Sequence, residues 1–260
     1  MKNLRLLLQI SAAIILLFLQ GGAHAAEVKA AVAANFTAAI GKLQPIFEKQ
    51  TGHHLLPSFG ATGQLYAQIG NGAPFDVFLS ADDKAPAKLV KEGHAVGGTE
   101  FIYARGELAL WSAEKGYVDD KGDVLTRNQY AHIAIANPDT APYGLAAVQT
   151  LKKLGLYDTV KAKFVQGDNI AQTQLFVASK NAPLGFIALA QVLALPDAGR
   201  GSWWQVPANL HEPIDQQAVL LTGALKPAEK NDAARAFLKF LQSPEAIRII
   251  HDLGYSTPGH

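Results

Sequence analysis

The sequence predicts an α/β fold: parallel sheet covered by helices, with enough chain for one large domain or two lobes. Three observations predict it. Short apolar runs alternate with stretches whose apolar residues recur every three or four positions. The repeated units have the length of strand–helix pairs, which pack as parallel strands with helices on their faces. Polar, glycine-bearing loops separate the two kinds of segment.

The first 25 residues stand apart from that pattern. Lys2 and Arg5 precede a mostly apolar run from Leu6 to Leu19, and Ala23-His24-Ala25 offers a small-x-small cleavage site. This is the pattern of a secretory signal peptide, with Ala26 as the expected mature N-terminus. No later run reaches the ~18–20 apolar residues of a membrane helix. The expected product is a soluble, exported chain.

Its elements follow in order. Val28 to Ala33 reads as a buried strand. Thr37 to Gln50 carries Ile40, Leu43, Ile46 and Phe47 at helical spacing and stops at Gly52. His54 to Phe59 is a second strand and Gln64 to Ile69 a second helix. Phe75 to Leu79 is a third strand, and Ser80 and Asp82 look like caps for a helix through Val90. Leu108 to Trp111 and His132 to Ala136 are strands, separated by a polar, loop-like stretch over Lys115 to Gln129. Asn137-Pro138 and the Pro142-Tyr143-Gly144 turn lead into a helix through Leu154. Lys163 to Val165 is a short strand, and Asp168-Asn169 precedes a helix through Ser179. Leu184 to Ile187 is a strand, followed by a helical Ala188 to Val192. Gly199 to Pro213 reads as irregular and Ala218 to Leu221 as strand. Asp232 to Leu241 and Pro244 to Leu253 are helical, with Ser243-Pro244 as a cap and first turn.

Composition excludes several functions. The 260 residues hold 23 basic and 22 acidic side chains. Loss of Lys2 and Arg5 with the signal leaves 21 against 22, a balance that argues against nucleic acid and anionic membrane as main partners. The absence of cysteine excludes disulfides, thiolate metal sites and a cysteine nucleophile. No G-x-S-x-G, H-E-x-x-H or G-x-x-x-x-G-K-[ST] motif occurs.

The informative segments are two loops, Ala33-Ala34-Asn35-Phe36-Thr37 and Ser58-Phe59-Gly60-Ala61-Thr62-Gly63. Each joins a strand to a helix, and neither holds Lys or Arg. Asn, Ser and Thr at such places serve as ordinary N-caps. They also supply hydroxyl, amide and backbone N–H donors where a helix N-terminus attracts an anion. In open α/β sheets ligands sit beyond the carboxyl ends of the strands. The Pro142-Tyr143-Gly144 turn and Asp168-Asn169-Ile170 occupy equivalent places later in the chain. Donors without cations suit a fully deprotonated oxyanion, provided several act together against its desolvation.

Other constellations are weaker. His53-His54 starts a strand, so neighbouring side chains there point to opposite faces. Asp82-Asp83 reads as helix capping and Asp119-Asp120 as a solvated loop. Trp203-Trp204 reads as packing or, alternatively, as a sugar-stacking platform. Tyr66 reads as packing.

The run Ser58-Phe59-Gly60-Ala61-Thr62-Gly63-Gln64-Leu65-Tyr66-Ala67-Gln68-Ile69, followed by Gly72-Ala73-Pro74-Phe75-Asp76-Val77-Phe78-Leu79-Ser80-Ala81-Asp82, resembles the periplasmic molybdate-binding proteins of ABC importers. Ala33-Ala34-Asn35-Phe36, Asn137-Pro138, Ala182-Pro183-Leu184-Gly185-Phe186 and Phe237-Leu238-Lys239-Phe240-Leu241 fit the same family. The resemblance implies a type II periplasmic binding-protein fold. Its lobes would be residues 26–104 with 220–260, and residues 105–219, crossing near Tyr103 to Gly106 and returning near Val219 to Thr222. It implies Asn35 and Thr62 as ligand positions, backbone N–H contacts at Tyr143 and Ile170, and Ala34, Ser58 and Ala61 as further candidates. Some members place a Tyr hydroxyl where this chain has Ala188, and the Tyr143 hydroxyl is the candidate replacement. The resemblance further implies a bound molybdate or tungstate ion without direct protein ligands to the metal, no other cofactor, no enzymatic activity, a monomer, and a membrane permease as partner. A receptor for sulfate or phosphate is the nearest alternative, and a secreted hydrolase the alternative of another class.

Overall fold

A computed structural model describes residues 25–225 and 228–257. The signal peptide expected over residues 1–25 lies, but for Ala25, outside the described residues. In chain order the strands are β1 (Glu27–Ala33), β2 (His54–Gly60), β3 (Val77–Leu79), β4 (Phe101–Gly106), β5 (Leu108–Ser112), β6 (Ile133–Ala136), β7 (Phe164–Gly167), β8 (Leu184–Ala188), β9 (Ser202–Gln205) and β10 (Ile214–Leu220). The longer helices are α1 (Thr37–Thr51), α2 (Thr62–Gly70), α3 (Lys84–Lys91), α4 (Pro142–Lys153), α5 (Ile170–Ala178), α6 (Ala228–Leu241) and α7 (Pro244–Asp252).

The strands form two five-stranded sheets, β2-β1-β3-β10-β4 and β7-β6-β8-β5-β9. Each sheet is mixed rather than purely parallel. β1 runs parallel to β2 and β3, and β6 runs parallel to β7 and β8. The strands that carry the chain between lobes run the other way: β10 is antiparallel to β3 and β4, and β5 to β8 and β9. A chain that enters a second sheet and returns must do so through strands outside the strand–helix–strand repeat, so those strands escape the parallel rule.

Side-chain alternation covers both faces of each sheet. In β1, Val28, Ala30 and Val32 face a core shared with Phe36, Leu43 and Phe47 of the following segment and Phe237 of α6. Ala31 faces the opposite core with Leu65, Phe78 and Leu89. The two-residue period of a strand thus serves helices on both sides. In the second sheet, Leu108, Leu110, Ile133 and Ile135 face α4, whereas Ala109, Trp111 and Ala134 face Val177 of α5.

Three segments differ from the sequence reading. The stretch Gly199 to Pro213, expected to be irregular, contains β9, on which Trp203 and Trp204 pack against the second lobe. The ring of Trp204 fills the space a side chain at Gly122 would need. The polar stretch before β6 contains a short helix, Val124–Arg127. Its approach is tied by Asp119, whose carboxylate accepts backbone N–H groups of Lys121, Asp123 and Val124 and pairs with Arg127 at 2.7 Å. Strand β10 begins at Ile214, so the return to the first sheet precedes Val219 to Thr222, and residues 214–219 pair in the first sheet rather than the second. Ile214-Asp215-Gln216-Gln217 has no apolar run to announce a strand, because half its residues serve the space between the lobes.

Candidate functional site

The carboxyl ends of β1, β2, β6 and β7 meet between the two sheets. β1 ends in a 3-10 turn over Ala34–Phe36, and β2 feeds α2 at Thr62. β6 leads to α4, which starts on Pro142, and β7 leads to α5, which starts on Ile170. Pro142 lacks an N–H and has a φ suited to the first helical position, so Tyr143 is the first N–H of α4. Asn169 caps α5, its side-chain oxygen accepting from Ala171 N–H and Gln172 N–H at 3.0 Å each. That cap uses the second and third N–H groups and leaves the first, on Ile170, without an intrahelical partner.

These segments line one small cavity, formed by Ala33, Ala34, Asn35, Gly60, Ala61, Thr62, Ala81, Ala141, Pro142, Tyr143 and Ile170. The space is far smaller than a site for a drug-sized ligand, so it suits an ion rather than a sugar or peptide. None of the lining residues is charged. Three helix N-termini supply partial positive charge in place of a cation. The charged groups stand further out: Asp82, Asp83, Lys84, Lys88, Asp139, Glu212 and Asp215 ring the wider cleft that opens beyond Thr62 and Pro142.

Of the positions expected from sequence, Asn35, Thr62, Tyr143 and Ile170 line the cavity together with Ala34 and Ala61. Ser58 does not. It sits exposed on β2 opposite Ala31, two residues before the strand reaches the cavity. Ala188 is fully buried at the head of a short helix, and its N–H donates to Gln191 Oε1 at 3.0 Å. The same glutamine amide donates to the Ile170 carbonyl at 3.1 Å, so Gln191 braces the fourth loop.

Hydrogen bonding sets which atoms face an incoming group. Thr62 Oγ1 accepts the Ala81 N–H at 3.0 Å, which leaves the hydroxyl hydrogen to donate. Asn35 Nδ2 donates to Gln216 Oε1 at 2.8 Å and to the Tyr255 hydroxyl at 3.1 Å. Both amide hydrogens are then spent, and the backbone N–H of Asn35 is its available donor. Tyr255 in turn donates to the Asn35 carbonyl at 2.9 Å. Burial pushes the phenols of Tyr103, Tyr143 and Tyr255 well above the ordinary tyrosine range, so all three stay neutral O–H groups.

The lobes are in contact around the cavity. Gly63 N–H of α2 donates to the Thr140 carbonyl of the second lobe at 2.8 Å. A Cβ on Gly63 would stand 3.1 Å from Thr140 Cα, so the approach depends on the missing side chain. Neither Thr140, Gln216 nor Gln191 stands out in the sequence. None has a motif: Gln216 is 181 residues from Asn35, and only the fold joins them.

Comparison with known proteins gives a consistent picture. Residues 28–256 match the family of bacterial extracellular solute-binding proteins. The chain is 54% identical over 233 residues to the molybdate-binding protein ModA of Azotobacter vinelandii, spanning 90% of this chain and 91% of that one. It is 50% identical over 236 residues to ModA of Rhodobacter capsulatus, spanning 90% of each. A solved structure of an Azotobacter vinelandii periplasmic molybdate-binding protein superposes with a TM-score of 0.83 at 46% identity, covering 89% of this chain and 99% of that one.

Proposed function

The chain belongs to the bacterial extracellular solute-binding protein family, and from that premise we propose that it is a periplasmic receptor that captures molybdate and delivers it to an ABC importer in the membrane. It carries its ligand and does no chemistry on it. The observation that supports this reading is the small, uncharged cavity where three helix N-termini converge. Two relatives at 50% identity or more that bear molybdate in their names support the choice of ion.

On this reading the ion is held by the Thr62 hydroxyl and by backbone N–H groups at Asn35, Thr62, Tyr143 and Ile170, with Ala34 and Ala61 bounding its size. A dianion that carries no proton needs donors only. Each hydrogen bond to a charged acceptor contributes about 1.5–3 kcal/mol, so four or five offset a desolvation cost of several kcal/mol. Tungstate, an ion of the same charge and shape, binds in the same way. The leader over residues 1–25 directs export, and the closed lobes present the loaded receptor to a membrane permease.

Thermal unfolding of the mature protein in molybdate, tungstate, sulfate or phosphate tests the proposal. A ligand bound only by the folded state adds RT ln(1 + [L]/Kd), about 2.7 kcal/mol at a hundred times Kd. Molybdate and tungstate are expected to raise the midpoint by several degrees. A rise with sulfate or phosphate and none with molybdate overturns the choice of ion.

A further inference from the structure

Gln216 lies at the centre of a polar network that the ligand reading does not use. It is fully buried on β10, the strand that re-enters the first sheet. Its Oε1 accepts from Asn35 Nδ2 at 2.8 Å and from the Tyr103 hydroxyl at 3.1 Å, and its Nε2 donates to the Tyr143 hydroxyl at 3.1 Å. One side chain thus bridges a loop of the first lobe and a helix of the second. Both ends are positions that line the cavity.

Two further observations show that the surroundings are built around this bridge. The pairing of β10 with β4 slips at Gln216–Gln217, where Tyr103 is the extra residue on β4. Such a bulge re-aims a side chain, and here the Tyr103 hydroxyl reaches both Ser80 O and Gln216 Oε1. Gly106 ends β4 where the chain leaves for the second sheet. A Cβ there would overlap the Tyr143 hydroxyl and stand 2.7 Å from Gln216 Nε2.

We propose that Gln216 is a positioning residue for the oxyanion site, holding Asn35 and Tyr143 in register across the closed cleft and fixing the sense of their hydrogen bonds. The amide suits both demands because one end accepts and the other donates. Acceptance from Asn35 keeps that side chain turned away, so the backbone N–H of Asn35 meets the ion. Donation to Tyr143 occupies a lone pair of its hydroxyl, so that oxygen presents a hydrogen and not a lone pair to negative charge. The inference rests on the molybdate reading above.

Gln216→Glu separates positioning from packing because it keeps the shape and alters only the bonding. Protonated, the carboxyl accepts at one oxygen and donates at the other, as the amide does. Ionised, it cannot donate to Tyr143, and it adds negative charge beside a dianion. The groups facing it are Asn35 and the phenols of Tyr103, Tyr143 and Tyr255, with Asp82 and Glu107 as the acidic neighbours of those phenols. Arg105 and Asp215, adjacent along the strands, pair with each other at 2.5 Å. Burial raises the carboxyl's pKa toward neutrality.

The experiment is calorimetric titration of molybdate into wild-type, Gln216→Glu and Gln216→Met proteins at about pH 6 and about pH 8, with melts of each protein alone as the folding control. Gln216→Glu is expected to bind at least tenfold more weakly than wild type at the higher pH and to recover most of that loss at the lower. Gln216→Met is expected to stay weakened at both. Should Gln216→Glu fail to fold, Tyr143→Phe replaces it, with weaker binding expected at both pH values. Wild-type affinity in the folded variants, or an equal loss for Gln216→Glu at both pH values, overturns the proposal. Failure of the wild type to bind molybdate overturns the underlying reading instead.

Discussion

The two walls of the cavity are built from different atoms. The first lobe contributes one oriented side-chain donor, the Thr62 hydroxyl, whose oxygen accepts the Ala81 N–H, and the backbone of Asn35, whose side chain Gln216 and Tyr255 hold turned away. The second lobe contributes mostly backbone, at the first N–H groups of α4 and α5, where Pro142 and Asn169 prepare the helix ends. The difference teaches where substitution has leverage. A backbone donor survives any side-chain change that keeps its helix end, whereas an oriented hydroxyl is lost with one atom. The second wall therefore tolerates variation at Ile170 that the first does not tolerate at Thr62.

The strongest way to break that contrast is to remove a backbone donor. Ile170 occupies the first position of α5, where proline is accepted, and Asn169 before it is already extended at φ −150°, ψ 174°. Ile170→Pro is expected to weaken molybdate binding by about 1.5–3 kcal/mol with little change in helix content. Ile170→Val, which keeps the N–H, should bind within a few-fold of wild type. Equal affinities for the two, measured by calorimetry, would remove backbone donation from the account.

Thr62→Ala comes next, with an expected loss of about 1–3 kcal/mol in binding, while Thr62→Ser retains most of the affinity. An unaffected Thr62→Ala protein in the same titration removes the hydroxyl from the site. Gly63→Ala acts on neither wall directly but on their approach, because its Cβ meets Thr140. The expected cost to binding is about 1 kcal/mol, the worth of the Gly63–Thr140 hydrogen bond, with the unfolding midpoint of the ligand-free protein unchanged. A midpoint that falls without a change in affinity assigns Gly63 to stability instead of closure.

The smallest effect concerns pH. The network tyrosines have folded pKa values raised by burial, so the folded state keeps phenolic protons that the unfolded chain releases from about pH 10. Their contribution to stability is complete below that value and is lost as pH rises toward the folded pKa values. Unfolding midpoints followed from neutral to alkaline pH should show no contribution from this network until about pH 10 and a decline above it. Tyr255→Phe should flatten that decline.

How far the sequence carried depended on whether a feature is local. The loops after β1 and β2 and the starts of α4 and α5 were legible because strand-to-helix junctions carry Asn, Thr, Gly and Pro at fixed offsets. The uncharged character of the loops that hold Asn35 and Thr62 was legible for the same reason. The antiparallel strands were not. β9 is four residues with two tryptophans, and the first half of β10 places Asp215, paired with Arg105, and Gln216, bonded to Asn35 and Tyr143, where an apolar run would announce a strand. The network around Asn35 was beyond reach altogether. Tyr255 lies 220 residues away and Gln216 181, and nothing in either neighbourhood marks a partner. Ser58 sits inside the run that carries the family resemblance, yet it lies exposed on β2, the edge strand of the first sheet, where Phe59 beside it is exposed as well.

The central claim is that a site without a single cation holds a dianion by aligned donors and sorts ions by size. Calorimetric titration of molybdate into the mature wild-type protein, without and with a large excess of sulfate, tests it most directly. The account predicts one molybdate per chain with an affinity that sulfate does not change. Displacement of molybdate by sulfate, or no binding of molybdate at all, contradicts it.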